Sequence, residues 1–428
     1  MNFNKIKFHI IKIKNNSLAR DTFWIAIARV IRVLIQAAYF IIIARTLGVQ
    51  QYGAFVSVTA LINIFVPFAS WGSEHILVKN VSRERSLFAE YWGNALLIIL
   101  ILSFILITFT LSSFSNFLPS TTSFLVVLFV AISDLLFAVI LRTAERAFQA
   151  VQKLNLTAKL EIVQFSNRLI AALCFLVFFP KQGIIAWSGL YMTGTIVAAV
   201  IGLFLVRYHL GKPKLAIERI KSELIPGFYF SVSMSSLTVY NHIDKTMLAK
   251  LSSLEATGIY AAAYRLIEVA MVPISSLVFA SYPKFFKQGA KGIRSSVHFA
   301  QKLMPTALIY SSVVGLAILL IAPLIPYVLG EEYTTSIEAL RWLAFLPFLK
   351  CIHAIAGNTL IGADLQGFRT AIQVSIAVFN ILLNLWLIPL YSWKGAAWST
   401  LASDGLLALG CWAIIAWYYW HSSEGGEI

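Results

Sequence analysis

The sequence predicts an all-α polytopic membrane protein whose twelve transmembrane helices form two six-helix lobes related by a parallel pseudo-two-fold repeat. Three observations predict this fold class. Of the 428 residues, 59% are hydrophobic and only 12% are charged, about half the charged fraction of a soluble chain. Apolar blocks of at least about 18 residues recur, long enough to cross the hydrocarbon core of a bilayer. The two halves of the chain also share sequence matches at constant offsets.

The apolar blocks number twelve, and each is interpreted as one transmembrane helix. The first follows a basic stretch without a cleavage site, so we expect it to be a retained signal anchor. The approximate centres of the blocks are Leu34, Ile62, Leu102, Val130, Ala171, Val197, Ser236, Ala270, Gly315, Leu349, Phe379 and Leu407.

Lys and Arg predict the orientation, because they are enriched in cytoplasmic loops. With the N-terminus in the cytoplasm, the cytoplasmic segments hold 22 basic residues and the opposite loops hold four. Both termini are therefore expected in the cytoplasm. The net charge of +15 is then mainly a topology signal, and nucleic acid is not expected as a partner.

A duplication accounts for the matches between the halves. The stretches ARTLGVQQYGAF from Ala44 and AKLSSLEATGIY from Ala249 align at an offset of 205, which places Gly53 opposite Gly258. Even-numbered duplication keeps both halves in the same orientation and implies a parallel repeat. We therefore expect an N-terminal lobe at 1–206, a cytoplasmic inter-lobe loop at 207–226 and a C-terminal lobe at 227–428.

Charged residues inside the predicted spans are the main functional signal, because a charge facing lipid at the centre of a helix costs about 2.5–3.5 kcal/mol. The helical rise of about 1.5 Å per residue places several of them deep in the membrane. The candidate cavity cations are Arg29, Arg32, Arg168, Arg265 and Lys350, and the candidate coupling or pairing carboxylates are Asp134, Glu161, Asp244 and Glu268.

Two interpretations of these charges remain open. Arg265 and Glu268 stand three residues apart and are able to pair, as side chains on one helical face do. The other interpretation is a hydrated cavity with surplus positive charge, because Arg29 and Arg32 have no acidic neighbour in their own helix. Arginine donates two parallel hydrogen bonds to phosphate, so such a cavity would accept a phosphate-bearing ligand.

Other basic residues in the spans are interpreted as structural. Lys159, Lys245 and Arg341 are placed near helix ends, from which their side chains are able to reach the interface. Two basic, partly apolar segments, 73–92 and 282–304, occupy corresponding places in the repeat. We expect them to lie at the cytoplasmic interface, close to anionic lipid headgroups.

Enzyme chemistry and cofactors are not expected. Cys174, Cys351 and Cys411 all fall within predicted spans and show no metal-ligand spacing. No nucleotide-binding loop, metal motif or nucleophile triad is recognised. The sequence predicts neither a metal nor a catalytic residue, and the protein is not expected to be an enzyme.

The stretch HIDKTMLAKLSSLEATGIYAAAYRLIEVAMVPISSLVFASYPKF, from His242 to Phe285, resembles the seventh-to-eighth helix region of the polysaccharide biosynthesis (Wzx-type) flippases. That family carries an aspartate, a short loop, a G-x-Y motif and small residues. The corresponding residues here are Asp244, Gly258, Tyr260 and Ala261 to Ala263. The stretch from Ala44 to Phe55 resembles the matching region of the first half.

The resemblance implies membership of the multidrug/oligosaccharidyl-lipid/polysaccharide exporter superfamily, with two lobes that alternate access. It implies transport of an undecaprenyl-pyrophosphate-linked O-antigen or capsule repeat unit across the bacterial inner membrane. Membrane lipids, a polysaccharide polymerase and chain-length machinery are the implied partners. Related flippases bind pyrophosphate with arginines on helices 1 and 8, which Arg29, Arg32 and Arg265 match. The uncharged segment 54–72 departs from the lipid II branch, which has a basic residue there.

Two rival functions remain. A small-cation or drug antiporter of the same superfamily would be expected to have a net acidic cavity, and the inventory above is net basic. A membrane-embedded polymerase or glycosyltransferase would handle similar substrates. It would be expected to have a large outer loop with reactive residues, whereas the outer segment 112–120, SSFSNFLPS, carries no charge.

Overall fold

A computed structural model describes residues 17–179 and 181–421. Their side chains are described from Val33 onward, except at positions 222, 279, 280 and 283. Throughout this part of the chain the secondary structure is helical and no β-strand is present. The all-α prediction is confirmed.

Sixteen α-helices, numbered here in chain order, make up the described ranges. Short 3-10 or π-helical turns join some of them without a break. The helices are α1 (Ser17–Ser70), α2 (Ser73–Val81), α3 (Phe88–Phe117), α4 (Phe124–Ala131), α5 (Ala138–Ala150), α6 (Leu154–Phe178), α7 (Gly183–Leu210), α8 (Ile217–Leu251), α9 (Leu254–Ala270), α10 (Val272–Gly289), α11 (Ile293–Ile321), α12 (Ile325–Leu329), α13 (Ser336–Leu343), α14 (Leu346–Gly362), α15 (Gln366–Tyr391) and α16 (Trp393–His421).

The helices agree with the predicted spans. Nine helical segments within the described ranges are long and apolar enough to cross a membrane, and α9 with the first part of α10 forms a tenth that is bent by 47°. One of the nine, Val33–Ser70, is kinked and contains the centres of the first two predicted spans, Leu34 and Ile62. The remaining predicted span, centred on Ser236, lies in α8, which is helical but more polar. The chain is a multi-pass membrane protein.

The kink in α1 lies at Gly48, whose φ of 73° and ψ of 171° interrupt the helix. Positive φ is a conformation that glycine adopts without the steric cost of a Cβ atom. The helix resumes at Val49, whose backbone N–H donates to Glu332 Oε2 at 3.0 Å. This carboxylate satisfies one of the donors that a new helix start leaves free.

The chain divides into two compact units. The N-terminal unit comprises 1–46, 65–114 and 123–235, and the C-terminal unit comprises 47–64, 115–122 and 236–428. The N-terminal unit buries the large rings of Trp92, Phe148, Phe175 and Trp187, and the C-terminal unit buries Tyr260, Phe285 and Tyr333. The lobes at 1–206 and 227–428 remain a prediction from the repeat.

Gly53 and Gly258, which are aligned by the repeat, each lie against the helix that carries the other, within the C-terminal unit. A Cβ atom on Gly53 would collide with the backbone of Leu254 and Gly258. A Cβ atom on Gly258 would collide with the carbonyl oxygen of Val49. The backbones therefore approach as closely as small residues permit at membrane helix interfaces.

The predicted inter-lobe loop 207–226 is mostly helical and is tied to the N-terminal unit. Helix α7 continues to Leu210 and α8 begins at Ile217. The segment 211–226, called the linker strap below, is bonded to α3 at several points. The Lys214 N–H donates to the Ala89 carbonyl at 2.8 Å, and Arg219 forms a 2.6 Å ion pair with Glu90.

The two segments expected at the interface differ in structure. The first contains the short helix α2, which buries Ile76, Leu77 and Val81, and burial lowers the pKa of the His75 imidazole. The second is not a separate helix, because 282–304 comprises the end of α10, a turn at 290–292 and the beginning of α11. Both segments are largely helical, and lipid contact by either of them stays a prediction.

Candidate functional site

The N-terminal unit contains a buried polar network centred on Asp134. This residue lies in a π-helical turn, Ile132–Phe137, between α4 and α5. Such turns often occur at functional sites. Its carboxylate accepts hydrogen bonds from the Tyr191 hydroxyl at 3.0 Å and from Ser133 Oγ at 3.0 Å. Asp134 is 6% exposed, so these donors replace the water that the carboxylate has lost.

Arg168 on α6 completes this network. Its Nη2 donates to the Tyr191 hydroxyl at 2.9 Å, and its guanidinium lies 4.8 Å from the centroid of the same ring. Tyr191 therefore bridges the cation on α6 to the carboxylate of Asp134. The structure joins two sequence-predicted residues, Asp134 and Arg168, through a third that the charge inventory did not contain.

Glu161 lies on α6, half-buried, about two turns before Arg168. Its charge interacts with Glu145 on α5. One oxygen of Glu145 and one of Glu74 are buried without a hydrogen-bond partner. The acidic side chains at this end of the unit were not grouped by the sequence analysis, because they come from three separate helices.

The C-terminal unit holds a second buried network around Asp244 on α8. The Tyr260 hydroxyl donates to Asp244 Oδ2 at 2.5 Å and lies 2.9 Å from the hydroxyl of Thr400 on α16. Asp244 and Tyr260 are two residues of the sequence motif noted above. The motif therefore builds a hydrogen bond between α8 and α9.

Lys245 belongs to the same network, and its expected position at the interface was wrong. It is 5% exposed. Its Nζ lies 3.5 Å from Asp244 Oδ1, donates to the Asn241 carbonyl at 3.1 Å and stands 4.1 Å from the centroid of the Tyr264 ring. These contacts compensate a charge that burial would otherwise destabilise. In contrast, Lys159 and Arg341 are exposed, as expected.

Lys350 on α14 lies beside a carboxylate that the sequence analysis missed. Asp404 on α16 is 1% exposed, with Lys350 Nζ at 3.9 Å and His353 Nε2 at 3.0 Å from its oxygens. Asp404 lies in the middle of the last predicted span. A complete list of the charged residues in the predicted spans would therefore have included it. His353 was missed because the inventory counted only Asp, Glu, Lys and Arg.

Arg265 and Glu268 on α9 form the ion pair that their spacing predicted, with Arg265 Nη1 2.7 Å from Glu268 Oε2. The side chains are 30% and 37% exposed, so the pair is open to solvent or ligand. The helix bends just after it, where α9 gives way to α10 at Met271. The side chains of Arg29 and Arg32 lie outside the described residues.

The charges in the membrane are thus more balanced than the sequence inventory indicated. Within the described ranges Lys245, Arg265 and Lys350 each have a carboxylate within 4 Å, and Arg168 is joined to that of Asp134 through the Tyr191 hydroxyl. The surplus positive charge of the sequence-predicted set therefore depends on Arg29 and Arg32. Across the described side chains, no cluster of three or more His, Cys, Asp or Glu is arranged to hold a metal ion.

The fold is that of the MOP superfamily transporters. The chain superposes with a TM-score of 0.75 on an inward-facing multidrug resistance MATE family transporter of the MOP superfamily, over 92% of this chain and 96% of the other, at 13% identity. It superposes with a TM-score of 0.77 on the lipid II flippase MurJ in an inward closed conformation, over 92% of this chain and 87% of the other, at 11% identity. The prediction of a polytopic fold of this superfamily is confirmed.

The chain belongs to the polysaccharide biosynthesis protein family, whose model matches residues 18–288. A curated relative is the probable low-salt glycan biosynthesis flippase Agl15 of Haloferax volcanii. The two are 24% identical over 396 residues, which cover 90% of this chain and 81% of the relative. The family resemblance read from the sequence is confirmed.

Proposed function

We propose that this protein is a flippase that moves a lipid-linked oligosaccharide across a membrane. The observation that carries the proposal is the match of residues 18–288 to the polysaccharide biosynthesis family. The similarity to a probable glycan biosynthesis flippase over 90% of the chain supports it. Buried charged networks in both compact units also support a polar path, because ionisable groups inside a membrane protein mark such paths.

The substrate presents two different solvation problems. A long prenyl tail is apolar and remains in the lipid, whereas sugars and a diphosphate lose hydrogen bonds and hydration when they enter hydrocarbon. A protein therefore has to shield only the polar head. In our proposal the substrate is an undecaprenyl-pyrophosphate-linked O-antigen or capsule repeat unit, carried by alternating access through a central cationic cavity.

We assign the pyrophosphate contacts first to Arg29 and Arg32, which the sequence places on one face of α1. Arg265 is the next candidate, because its 30% exposure lets a phosphate compete with Glu268 for the guanidinium. Arg168 and Lys350 already lie next to Asp134 and Asp404 through the contacts above. Their role is to balance those carboxylates until substrate or a coupling cation changes the charge.

A cation-coupled drug antiporter is the alternative, and one observation favours keeping it. Asp404 adds a deeply buried carboxylate that the sequence inventory lacked, which makes the described membrane charges less basic. Asp134, Glu161, Asp244 and Glu268 remain candidates for coupling or pairing. In this alternative the carboxylate networks would bind the transported or coupled cation.

The proposal includes a location and partners. We place the protein in the bacterial inner membrane with both termini in the cytoplasm. A polysaccharide polymerase and chain-length machinery would receive the product on the other side. The excess of basic residues in the cytoplasmic segments supports this orientation.

The test is transport by the full-length protein in proteoliposomes that contain a fluorescent prenyl-pyrophosphate-linked oligosaccharide. Flipping exposes the sugar on the outer leaflet to a lectin that cannot cross the membrane. We expect lectin access to increase at least tenfold faster than in protein-free vesicles. Lectin access at the protein-free rate, together with extrusion of organic cations, would replace the flippase assignment by the antiporter.

A further inference from the structure

A small cavity lies inside the C-terminal unit, and neither Arg265 nor Glu268 lines it. Its volume is about 90 Å³. Helices α8, α14, α15 and α16 contribute to its wall, and the polar side chains among its lining residues are Tyr240, Asn241, Lys350, His353, Arg369 and Gln373. We call it the Arg369 pocket.

Arg369 differs from Arg168, Lys245, Arg265 and Lys350, which all have a nearby carboxylate. It is half-buried near the beginning of α15, yet none of the described carboxylates forms an ion pair with it. Its neighbour in the pocket, Lys350, already has Asp404 at 3.9 Å. The pocket therefore carries one positive charge that the protein does not neutralise.

The Arg369 guanidinium lies against Gly357, where a larger side chain would collide with it. A Cβ atom on Gly357 of α14 would lie 2.8 Å from Arg369 Nε. Glycine at this position lets the planar guanidinium pack directly against the backbone of α14. Since desolvating an unpaired charge is unfavourable, a half-buried guanidinium held in this way is arranged to meet an anion.

We propose that the Arg369 pocket binds one acidic group on the glycan portion of the transported lipid-linked oligosaccharide, either a sugar carboxylate or a phosphoryl substituent. This inference rests on the proposed flippase function and names its substrate class, a glycan that carries negative charge. Arg369 receives the acidic group by paired hydrogen bonds.

The other lining groups fit the same ligand. The Gln373 amide and the His353 imidazole, whose Nε2 faces Asp404 at 3.0 Å, border the space in which the sugar hydroxyls next to the acidic group would lie. A cavity needs about 10–15 Å³ of space open to the centre of a water molecule to hold one water, so about 90 Å³ holds several waters. It accommodates one compact anionic group and excludes an entire oligosaccharide, so the pocket is a subsite and not the whole binding cavity.

Binding is tested with full-length protein purified in detergent. Its thermal unfolding midpoint is measured without ligand and with D-glucuronate, D-glucose 1-phosphate or neutral D-glucose. Ligand that binds the folded state raises the midpoint by mass action. We expect one of the acidic sugars to stabilise the wild type and glucose to have no effect. Stabilisation by glucuronate identifies a carboxylate ligand, and stabilisation by glucose 1-phosphate identifies a phosphoryl ligand.

The variant Arg369→Gln is expected to weaken that binding about tenfold or more, and Arg369→Lys to weaken it less because the charge remains. Lys302→Gln is the matched control, because Lys302 is an exposed cation of the same unit, and it should bind like the wild type. If Arg369→Gln does not fold, Gln373→Leu tests the same pocket. No stabilisation of the wild type by either acidic sugar, or equal binding by wild type and variant, overturns the inference.

A transport measurement distinguishes failure of the Arg369 subsite from failure of the proposed flippase function. Proteoliposomes are loaded with two lipid-linked oligosaccharides that differ only in a uronic acid or the corresponding neutral hexose. We expect Arg369→Gln to slow flipping of the acidic substrate about tenfold and to leave the neutral one unchanged. Equal rates for both substrates in wild type and variant overturn the subsite while the flippase function stands. Failure of the wild type to flip either substrate overturns the flippase function itself.

Discussion

Asn94 and Ala216 are joined by two hydrogen bonds although 122 residues separate them in the chain. The Asn94 Nδ2 donates to the Ala216 carbonyl at 2.9 Å, and the Ala216 N–H donates to Asn94 Oδ1 at 2.9 Å. One buried side chain thus satisfies both backbone groups of a residue in the linker strap. The linker strap is therefore fixed to α3 by a pair of hydrogen bonds to one residue's N–H and carbonyl groups.

The first prediction concerns this attachment. Asn94→Ala removes both bonds. The Ala216 N–H is then left without a partner, and the Ala216 carbonyl keeps only the Arg219 N–H at 3.1 Å, at a cost of about 1–3 kcal/mol. We expect faster trypsin cleavage at Lys212, Lys214 or Lys221, measured on purified protein by gel electrophoresis. Asn155→Ala is the control, since Asn155 is exposed and lies in the same unit. Identical cleavage of wild type and Asn94→Ala would show that other contacts hold the strap.

The second prediction concerns Tyr191 as the bridge between Arg168 and Asp134. Tyr191→Phe keeps the ring and removes the hydroxyl that contacts both charges, so we expect the thermal unfolding midpoint to fall by a few degrees. Adding Asp134→Asn should cost less than the sum of the two single changes, because both act on one network. Tyr208→Phe, at a ring that is 74% exposed, should leave the midpoint unchanged. Strict additivity would contradict a shared network.

The third prediction concerns the close approach at Gly53 and Gly258. Alanine at either position places a methyl group where backbone atoms of the facing helix already lie. Overpacking of this kind costs about 1–3 kcal/mol or more. We expect Gly53→Ala and Gly258→Ala to lower the yield of monodisperse protein in size-exclusion chromatography. Gly405→Ala is a matched control, because nothing lies within 4 Å of its added Cβ atom. Normal yields for all three variants would disprove the tight crossing.

The sequence predicted those features that depend on local pattern. Apolar block length placed the spans, and the three-residue spacing of Arg265 and Glu268 predicted their pairing. The motif around Asp244 and Tyr260 identified the family. In each case the information lies within one helix or within a short run of sequence, where helical geometry alone determines which side chains meet.

Features that depend on packing between distant segments were not predicted. Lys350 meets Asp404 only because α14 packs beside α16, and no spacing rule relates residues so far apart. Lys245 appeared close to a helix end, yet packing around it removes it from the interface. The linker strap looked like a loop because its sequence is polar, and its hydrogen bonds to α3 come from backbone groups that a side-chain pattern does not reveal.

The fourth prediction concerns the proposed pyrophosphate contacts on α1. If Arg29 and Arg32 bind the diphosphate, each removed contact should weaken binding by about 1.5–3 kcal/mol, and alanine at both positions should abolish flipping of the lipid-linked oligosaccharide in proteoliposomes. Lysine should restore part of the rate, because it keeps the charge and loses the two-pronged hydrogen bonding. Lys302→Ala controls for loss of a basic residue. A wild-type rate with both alanines would eliminate the phosphate role of these arginines.

Arg265 requires a separate test, because its 2.7 Å contact with Glu268 offers a structural explanation for any loss of activity. Arg265→Ala leaves the Glu268 carboxylate without its cation, and a second change, Glu268→Ala, removes that unpaired charge. If Arg265 only balances Glu268, the double variant should recover both the yield of folded protein and the rate of flipping. If Arg265 also contacts the diphosphate, the double variant should recover the yield but not the rate. We expect the second result, since a guanidinium that is 30% exposed is open to a ligand while it remains paired.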